Sequence, residues 1–95
     1  MLYKGKSKIE GWGLFTDEKI LKGEYIGTFK LAKAKYVTKF SIAKDGKWYR
    51  AICILKHSNH STRPNAEVDE DLNMWALKTI KPGDEIVWNY GDEWA

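Results

Sequence analysis

The sequence predicts a mostly β domain, with short strands in small curved sheets and little helix. Three observations carry that expectation. Turn residues recur every few positions, the punctuation of an all-β chain. An Asp45-Gly46 pair stands between two strand-like runs, as in a two-residue hairpin loop whose central residues both take positive φ. No stretch keeps apolar residues at the 3.6-residue period long enough for a helix of normal length.

Taken in order, the chain opens with Lys4, Lys6 and Lys8, which alternate as on the solvated face of a strand, until Gly11-Trp12-Gly13 breaks it. Leu21-Lys22-Gly23-Glu24 reads as a turn feeding a strand at Tyr25-Ile26-Gly27-Thr28-Phe29. One short helical piece is expected, either around residues 31–36 or as a 3₁₀ turn within 57–62. The hairpin register follows from its loop: Lys44 pairs with Lys47, Ile42 with Tyr49, Phe40 with Ala51, Thr38 with Cys53 and Tyr36 with Leu55. That face is apolar, whereas Lys39, Ser41, Trp48 and Arg50 share the other. Cys53, within Ala51-Ile52-Cys53-Ile54-Leu55, is expected to be a small buried hydrophobe.

The next run, KHSNHSTRPNAEV at residues 56–68, has no aliphatic residue before Ala66. It lacks an apolar period, so neither a strand nor an amphipathic helix is expected there, only a polar loop or a site. Ala66-Glu67-Val68 and Leu72-Asn73-Met74-Trp75-Ala76-Leu77 read as strands joined by the acidic turn Asp69-Glu70-Asp71. Lys81-Pro82-Gly83-Asp84 suits a type II turn, with Pro and Gly at its centre. The strand Glu85-Ile86-Val87-Trp88-Asn89 then leads into Tyr90-Gly91. Ile20, Gly23 and Ile26 echo Ile80, Gly83 and Ile86, a match read as shared turn chemistry.

Bulk properties narrow the function. A chain of 95 residues is one domain with a small core, which its 13 aromatic residues and homodimerisation would reinforce. Sixteen basic against 13 acidic residues, with only two Arg, do not make a nucleic-acid binder. One cysteine excludes a disulfide framework or a Cys-based zinc site within the chain. His57 and His60 with Cys53 fall short of a convincing catalytic metal set, so no metal is expected. Ser58 and Ser61 flank His60, but adjacency is not a triad. Neither a signal peptide nor an apolar span is visible, so an intracellular, membrane-free setting is expected, cytoplasmic or nuclear according to the host. Gly11-Trp12-Gly13 permits close backbone approach to a ligand. Trp94, beyond the last strand, reads as a side chain that closes over something.

Three motifs in fixed order resemble the SET domain of protein lysine methyltransferases. They are Gly11-Trp12-Gly13-Leu14-Phe15, Asn59-His60-Ser61-Thr62-Arg63-Pro64-Asn65 and Gly83-Asp84-Glu85-Ile86-Val87-Trp88-Asn89-Tyr90-Gly91. The resemblance spans residues 4 to 94 and implies a single minimal SET domain over 1–95, of β-clip-like fold, without pre-SET or post-SET zinc modules. It implies a C-terminal pseudoknot where the Asn-His run meets the final Tyr strand. It also implies S-adenosylmethionine as methyl donor and a protein or peptide lysine, such as one in a histone, as acceptor. By the same resemblance Trp12, Gly13, Asn59, His60 and Trp94 bind the cofactor. Tyr90 is the catalytic tyrosine, and Phe29, Trp88 and Tyr90 line the substrate channel. Three positions depart from the family pattern. Phe29 stands where many members have a tyrosine, Asn89 where an Asp is common, and Thr62 where a Cys is. Two other readings stay open: a weak or inactive SET-like module that binds cofactor or peptide, and a small basic β domain that binds nucleic acid.

Overall fold

The computed structural model describes residues 1–33, 41–44, 47–51 and 53–91. Its described strands are β1 (Leu2–Lys6), β2 (Trp12–Thr16), β3 (Tyr25–Thr28), β4 (Leu31–Lys33), β5 (Ser41–Lys44), β6 (Lys47–Ala51), β7 (Asn59–His60), β8 (Ala66–Val68), β9 (Asn73–Ala76) and β10 (Glu85–Trp88). The fold is mostly β, as expected, and its described helix is one 3₁₀ turn at Ile54–His57.

Two sheets result. The larger runs β1-β2-β10-β8-β9-β3, with β7 also paired to β10, and the smaller runs β4-β6-β5. In the smaller sheet Lys44 pairs with Lys47 and Ile42 with Tyr49, the register that the two-residue loop dictates. Asp45 and Gly46 themselves, and the expected pairs of Phe40, Thr38 and Tyr36, lie outside the described residues.

Five local expectations are corrected. Leu31–Lys33 is a strand paired with β6 and not the start of a helix. The apolar run after β6 does not continue as a strand to Leu55; the chain turns through Ile54–His57 and buries Leu55 in the core. Cys53 is half-buried and accepts the Lys30 N–H through Sγ at 3.4 Å. The 3₁₀ turn therefore precedes the 57–62 window, and Asn59–His60 forms a two-residue strand although it has no apolar period. Pairing with β10 imposes that conformation from outside the segment, overriding local pattern.

The core gathers Leu14, Phe29, Leu55, Ala66, Met74, Ala76, Ile80 and Ile86. Met74 and Ala76 alternate with the less buried Asn73 and Trp75, the two-residue period of a half-buried strand. β10 is central, so Ile86 and Val87 are buried in succession. Full burial of side chains such as Leu14 and Ile86 stabilises by about 1.5–3 kcal/mol each.

The echo between the two turn-into-strand units goes beyond turn chemistry. Ile20 and Ile80 exchange both backbone hydrogen bonds, at 2.9 and 2.8 Å. The Gly23 N–H donates to Ala76 O, and the Gly83 N–H donates to Thr16 O, each at 2.8 Å. Gly23 and Gly83 take φ of 85° and 88°, which only glycine adopts readily. Tyr25 pairs with Trp75 as Glu85 pairs with Phe15. Each of these partners recurs at an offset of sixty, until a bulge in β3 shifts the register after Tyr25, so the two units are related by an approximate two-fold axis. Each unit's second strand pairs with the other's first.

Candidate functional site

β10 holds the site between two sets of partners. Its one edge pairs antiparallel with β2. Beyond β2, the same edge pairs parallel with β7, setting Asn59 beside Val87 and His60 beside Trp88, and the other edge pairs parallel with β8 at Ala66. Asn65 extends the β8 ladder along that second edge. Its Nδ2 donates to Glu85 O at 2.8 Å, and its Oδ1 accepts the Val87 N–H at 2.9 Å. A carboxamide carries a donor and an acceptor at nearly peptide spacing, so one side chain substitutes for a strand residue.

A polar cluster forms where β7, β10 and the 7–13 segment meet. Asn59 Nδ2 lies 2.9 Å from Glu85 Oε2, 3.0 Å from Trp12 O, 3.1 Å from Ser7 Oγ and 3.2 Å from Glu10 O. Ser7 Oγ donates to the Glu85 carboxylate at 2.8 Å and accepts the Ile9 N–H at 2.9 Å. A half-buried carboxylate needs such donors to offset its lost hydration. Gly13 is buried against it: a Cβ there would sit 2.5 Å from Glu85 Oε2. The glycine of this motif thus makes room for the protein's own carboxylate. Asn59 Oδ1 accepts no hydrogen bond from a described residue. Among the described residues no buried side-chain polar atom lacks a partner, so this oxygen lies open.

Beside the cluster runs a line of rings. Phe29 lies 5.8 Å from Trp88, Trp88 lies 4.6 Å from Tyr90, and Tyr90 lies 5.1 Å from His60, centroid to centroid. All three pairs are tilted, a favourable arrangement for ring quadrupoles. Ser58, only 3% exposed, anchors two of them. Its Oγ accepts the Trp88 Nε1–H at 2.8 Å, and its carbonyl accepts the Tyr90 hydroxyl. His60 Nδ1 accepts the Tyr90 N–H at 2.9 Å, which places the proton of the neutral ring on Nε2.

The Tyr90 phenol is pushed up to about 12, first by burial and then by the Glu10 and Glu85 carboxylates. At neutral pH it is an un-ionised hydroxyl that gives its proton to a carbonyl, and its oxygen lone pairs are what it can offer a ligand.

The structure therefore brings together Gly13 and Asn59, and in a contiguous row Phe29, Trp88, Tyr90 and His60. Phe29 is 6% exposed and belongs to the core, where it backs Trp88. The Trp12 ring is 51% exposed, with the Lys4 ammonium 4.6 Å from its centroid, while its carbonyl faces Asn59. Trp94 lies outside the described residues. Sequence reasoning passed over Ser7, Ser58, Asn65 and Glu85 as members of the site. The signal for Glu85 was a charge at the head of an apolar strand, since a buried charge demands partners. Ser58 had been weighed only as a nucleophile, and its hydroxyl is committed to Leu55 O, at 2.6 Å, and to Trp88.

Comparison with known proteins agrees with this geometry. The SET domain family model matches residues 35–91, more than half of the chain. A crystal structure of a candidate histone methyltransferase from Plasmodium falciparum is similar at a TM-score of 0.76 and 25% identity, covering 99% of this chain and 100% of that one. The Polycomb Repressive Complex 2 of Chaetomium thermophilum, as a humanized mutant bound to an inhibitor, matches at a TM-score of 0.75 and 23% identity. That match covers 97% of this chain and 15% of the other. The same complex with modified histone H3 gives a TM-score of 0.79 at 23% identity, over 97% of this chain and 14% of that one. Those two likenesses establish fold alone. No curated protein matches the chain in sequence.

Proposed function

The chain belongs to the SET domain family, and from that premise we propose that it is an S-adenosylmethionine-dependent protein lysine N-methyltransferase. The observation that carries the reading is the protonated Tyr90 phenol, held by Ser58 O in an aromatic row with Trp88 and His60, where Ser58 and His60 flank Asn59 in sequence. When bound, S-adenosylmethionine supplies an electrophilic methyl group on a sulfonium. Its amino-acid part carries an ammonium, and Asn59 Oδ1 is an acceptor fitted to that group. The faces of Trp88 and Tyr90 suit cationic groups. In-line transfer depends on positioning, which rigid rings and backbone carbonyls provide.

In this reading Tyr90 orients the lysine amine by accepting its N–H through the phenol oxygen. It does not take the amine's proton, because a phenol with a pKa near 12 that already donates to Ser58 is a poor base at neutral pH. The proton leaves to water, helped by apolar walls that disfavour the charged ammonium. The threaded C-terminal segment belongs to the same reading, and β10, held between β8 on one edge and β2 and β7 on the other, supports it. The likeness to a candidate histone methyltransferase makes a histone tail the first acceptor to screen. An intracellular setting and a homodimer that completes the site are parts of the proposal.

A second reading has one specific observation in its favour. Phe29 is buried and offers no hydroxyl to the channel, which suits a module that holds cofactor or peptide and transfers slowly. Titration calorimetry with S-adenosylmethionine, on the wild type and Asn59→Ala, tests cofactor binding. Methyl transfer to a peptide array, with Tyr90→Phe as control, then separates the two readings. Saturable binding lost in Asn59→Ala, with transfer lost in Tyr90→Phe, is the expected result. Absence of cofactor binding by the wild type refutes the enzyme reading.

A further inference from the structure

We propose that Glu85, with Ser7, is a positioning residue that fixes which way the Asn59 carboxamide faces, so that the site reads the ammonium and not the carboxylate of the cofactor's amino-acid part. The inference rests on the methyltransferase reading and deepens it. Asparagine presents a donor group and an acceptor atom of nearly equal size, and a half-turn about its last bond exchanges them. Here the surroundings forbid the exchange. The amide nitrogen faces a carboxylate oxygen and two backbone carbonyls, which can only accept. The fourth neighbour, Ser7 Oγ, commits its proton to Glu85, so towards Asn59 it can only accept as well.

The cluster runs in one direction. The Ile9 and Glu10 N–H groups donate to Ser7 Oγ, at 2.9 and 3.3 Å. Ser7 and Asn59 then donate to Glu85. The carboxylate is where the side-chain paths end, and it is the one side chain of the cluster that cannot donate while ionised. A flipped amide would set its oxygen against that negative charge. The consequence is a permanent acceptor, Oδ1, on the open side, backed by a negative charge on the closed side. Gly13 secures the arrangement, because any side chain there would occupy the space of the carboxylate.

Replacing Glu85 by its amide removes the charge and adds a donor at the same place. A flipped Asn59 oxygen then meets a donor in place of the charge, which offsets the two backbone carbonyls, so part of the population presents its NH2 outward. The test measures affinity for S-adenosylhomocysteine and for its deaminated analogue, in which hydrogen replaces the α-amino group, by calorimetry. Wild type is expected to lose about tenfold or more on deamination, as for a hydrogen bond to a charged group. In Glu85→Gln the deamination loss is expected to fall below about threefold, and in Ser7→Ala to an intermediate value. Thermal melts run alongside, and if Glu85→Gln does not fold, Ser7→Ala carries the same readout. A merely structural Glu85 weakens both ligands equally and leaves the ratio intact, which overturns the proposal. A wild type that binds both ligands alike overturns it too, while leaving cofactor binding standing. A wild type that binds neither ligand refutes the methyltransferase reading itself, and this inference with it.

Discussion

Ser58→Ala isolates one hydrogen bond on which the aromatic row depends. The hydroxyl makes two bonds, to Trp88 Nε1 and to Leu55 O. Leu55 O keeps a donor without it, because the Ser58 N–H also reaches that carbonyl, at 3.0 Å. The Tyr90 bond is to the Ser58 backbone and survives. The loss therefore concentrates on a single orphaned donor, the indole N–H. Leaving a buried donor unsatisfied costs about 1–3 kcal/mol, and Trp88 is half-buried, so about 1–2 kcal/mol is expected. For a domain of this size that lowers Tm by about 5–15 °C. The decisive assay is a double-mutant cycle with Trp88→Phe, followed by urea denaturation and far-ultraviolet circular dichroism. Once the indole is gone, Ser58→Ala orphans nothing, and the coupling between the two positions should be about 1 kcal/mol. Additivity within about 0.3 kcal/mol would mean that Ser58 does not hold Trp88, and the account of the aromatic row would fail.

Three more outcomes follow from the same geometry. Asn65→Asp keeps the acceptor for the Val87 N–H but turns a carboxylate oxygen towards Glu85 O, costing about 2–3 kcal/mol at neutral pH. The folded state raises the pKa of the introduced carboxyl, so stability should return as pH falls towards about 4 and be fully restored below it; a deficit that persists in acid contradicts this. Gly13→Ala should cost about 1–3 kcal/mol by displacing the Glu85 carboxylate, and the cost should vanish when Glu85→Ala is also present. Tyr90 holds its proton to about 12, while an unfolded tyrosine releases it near 10. Its contribution to stability is thus intact below pH about 10 and lost as pH rises towards 12, because the unfolded chain gives up the proton first. Tyr90→Phe should flatten that alkaline slope in urea midpoints, and parallel curves for the two proteins would count against the buried phenol.

Elements with local causes were legible in the sequence. The β5–β6 register follows from an Asp-Gly loop and a period of two, and Gly83 follows from the turn that requires it. That the run around Asn59 and His60 meets the run around Trp88 and Tyr90 was legible because each is a contiguous motif. What escaped was set by distant partners. Ser7 and Glu85 stand 78 positions apart, and nothing local to either marks the other as its partner. Leu31–Lys33 is a strand because β6 lies beside it, although three residues carry no usable period. The strand at Asn59–His60 has the same origin, for two polar residues become extended only where β10 offers backbone partners.

The two-fold relation explains why chemistry collects on one unit and not the other. Positions sixty apart have equivalent backbones, yet Tyr25 is 53% exposed while its counterpart Glu85 is half-buried. β3 ends its sheet, and its described partner is β9 alone. β10 has β2 and β7 on one edge and β8 on the other. The polar run of residues 56–68 supplies the second edge through β8 and completes the first through β7. It covers β10, raises the pKa of Tyr90 through burial and brings Asn59 against Glu85. A strand covered on both edges can hold a charge and a phenol in fixed states, and an edge strand open to water cannot. The absence of aliphatic side chains before Ala66 in that run is thus a requirement of its position: it must give backbone and amide hydrogen bonds to β10 and leave one oxygen free.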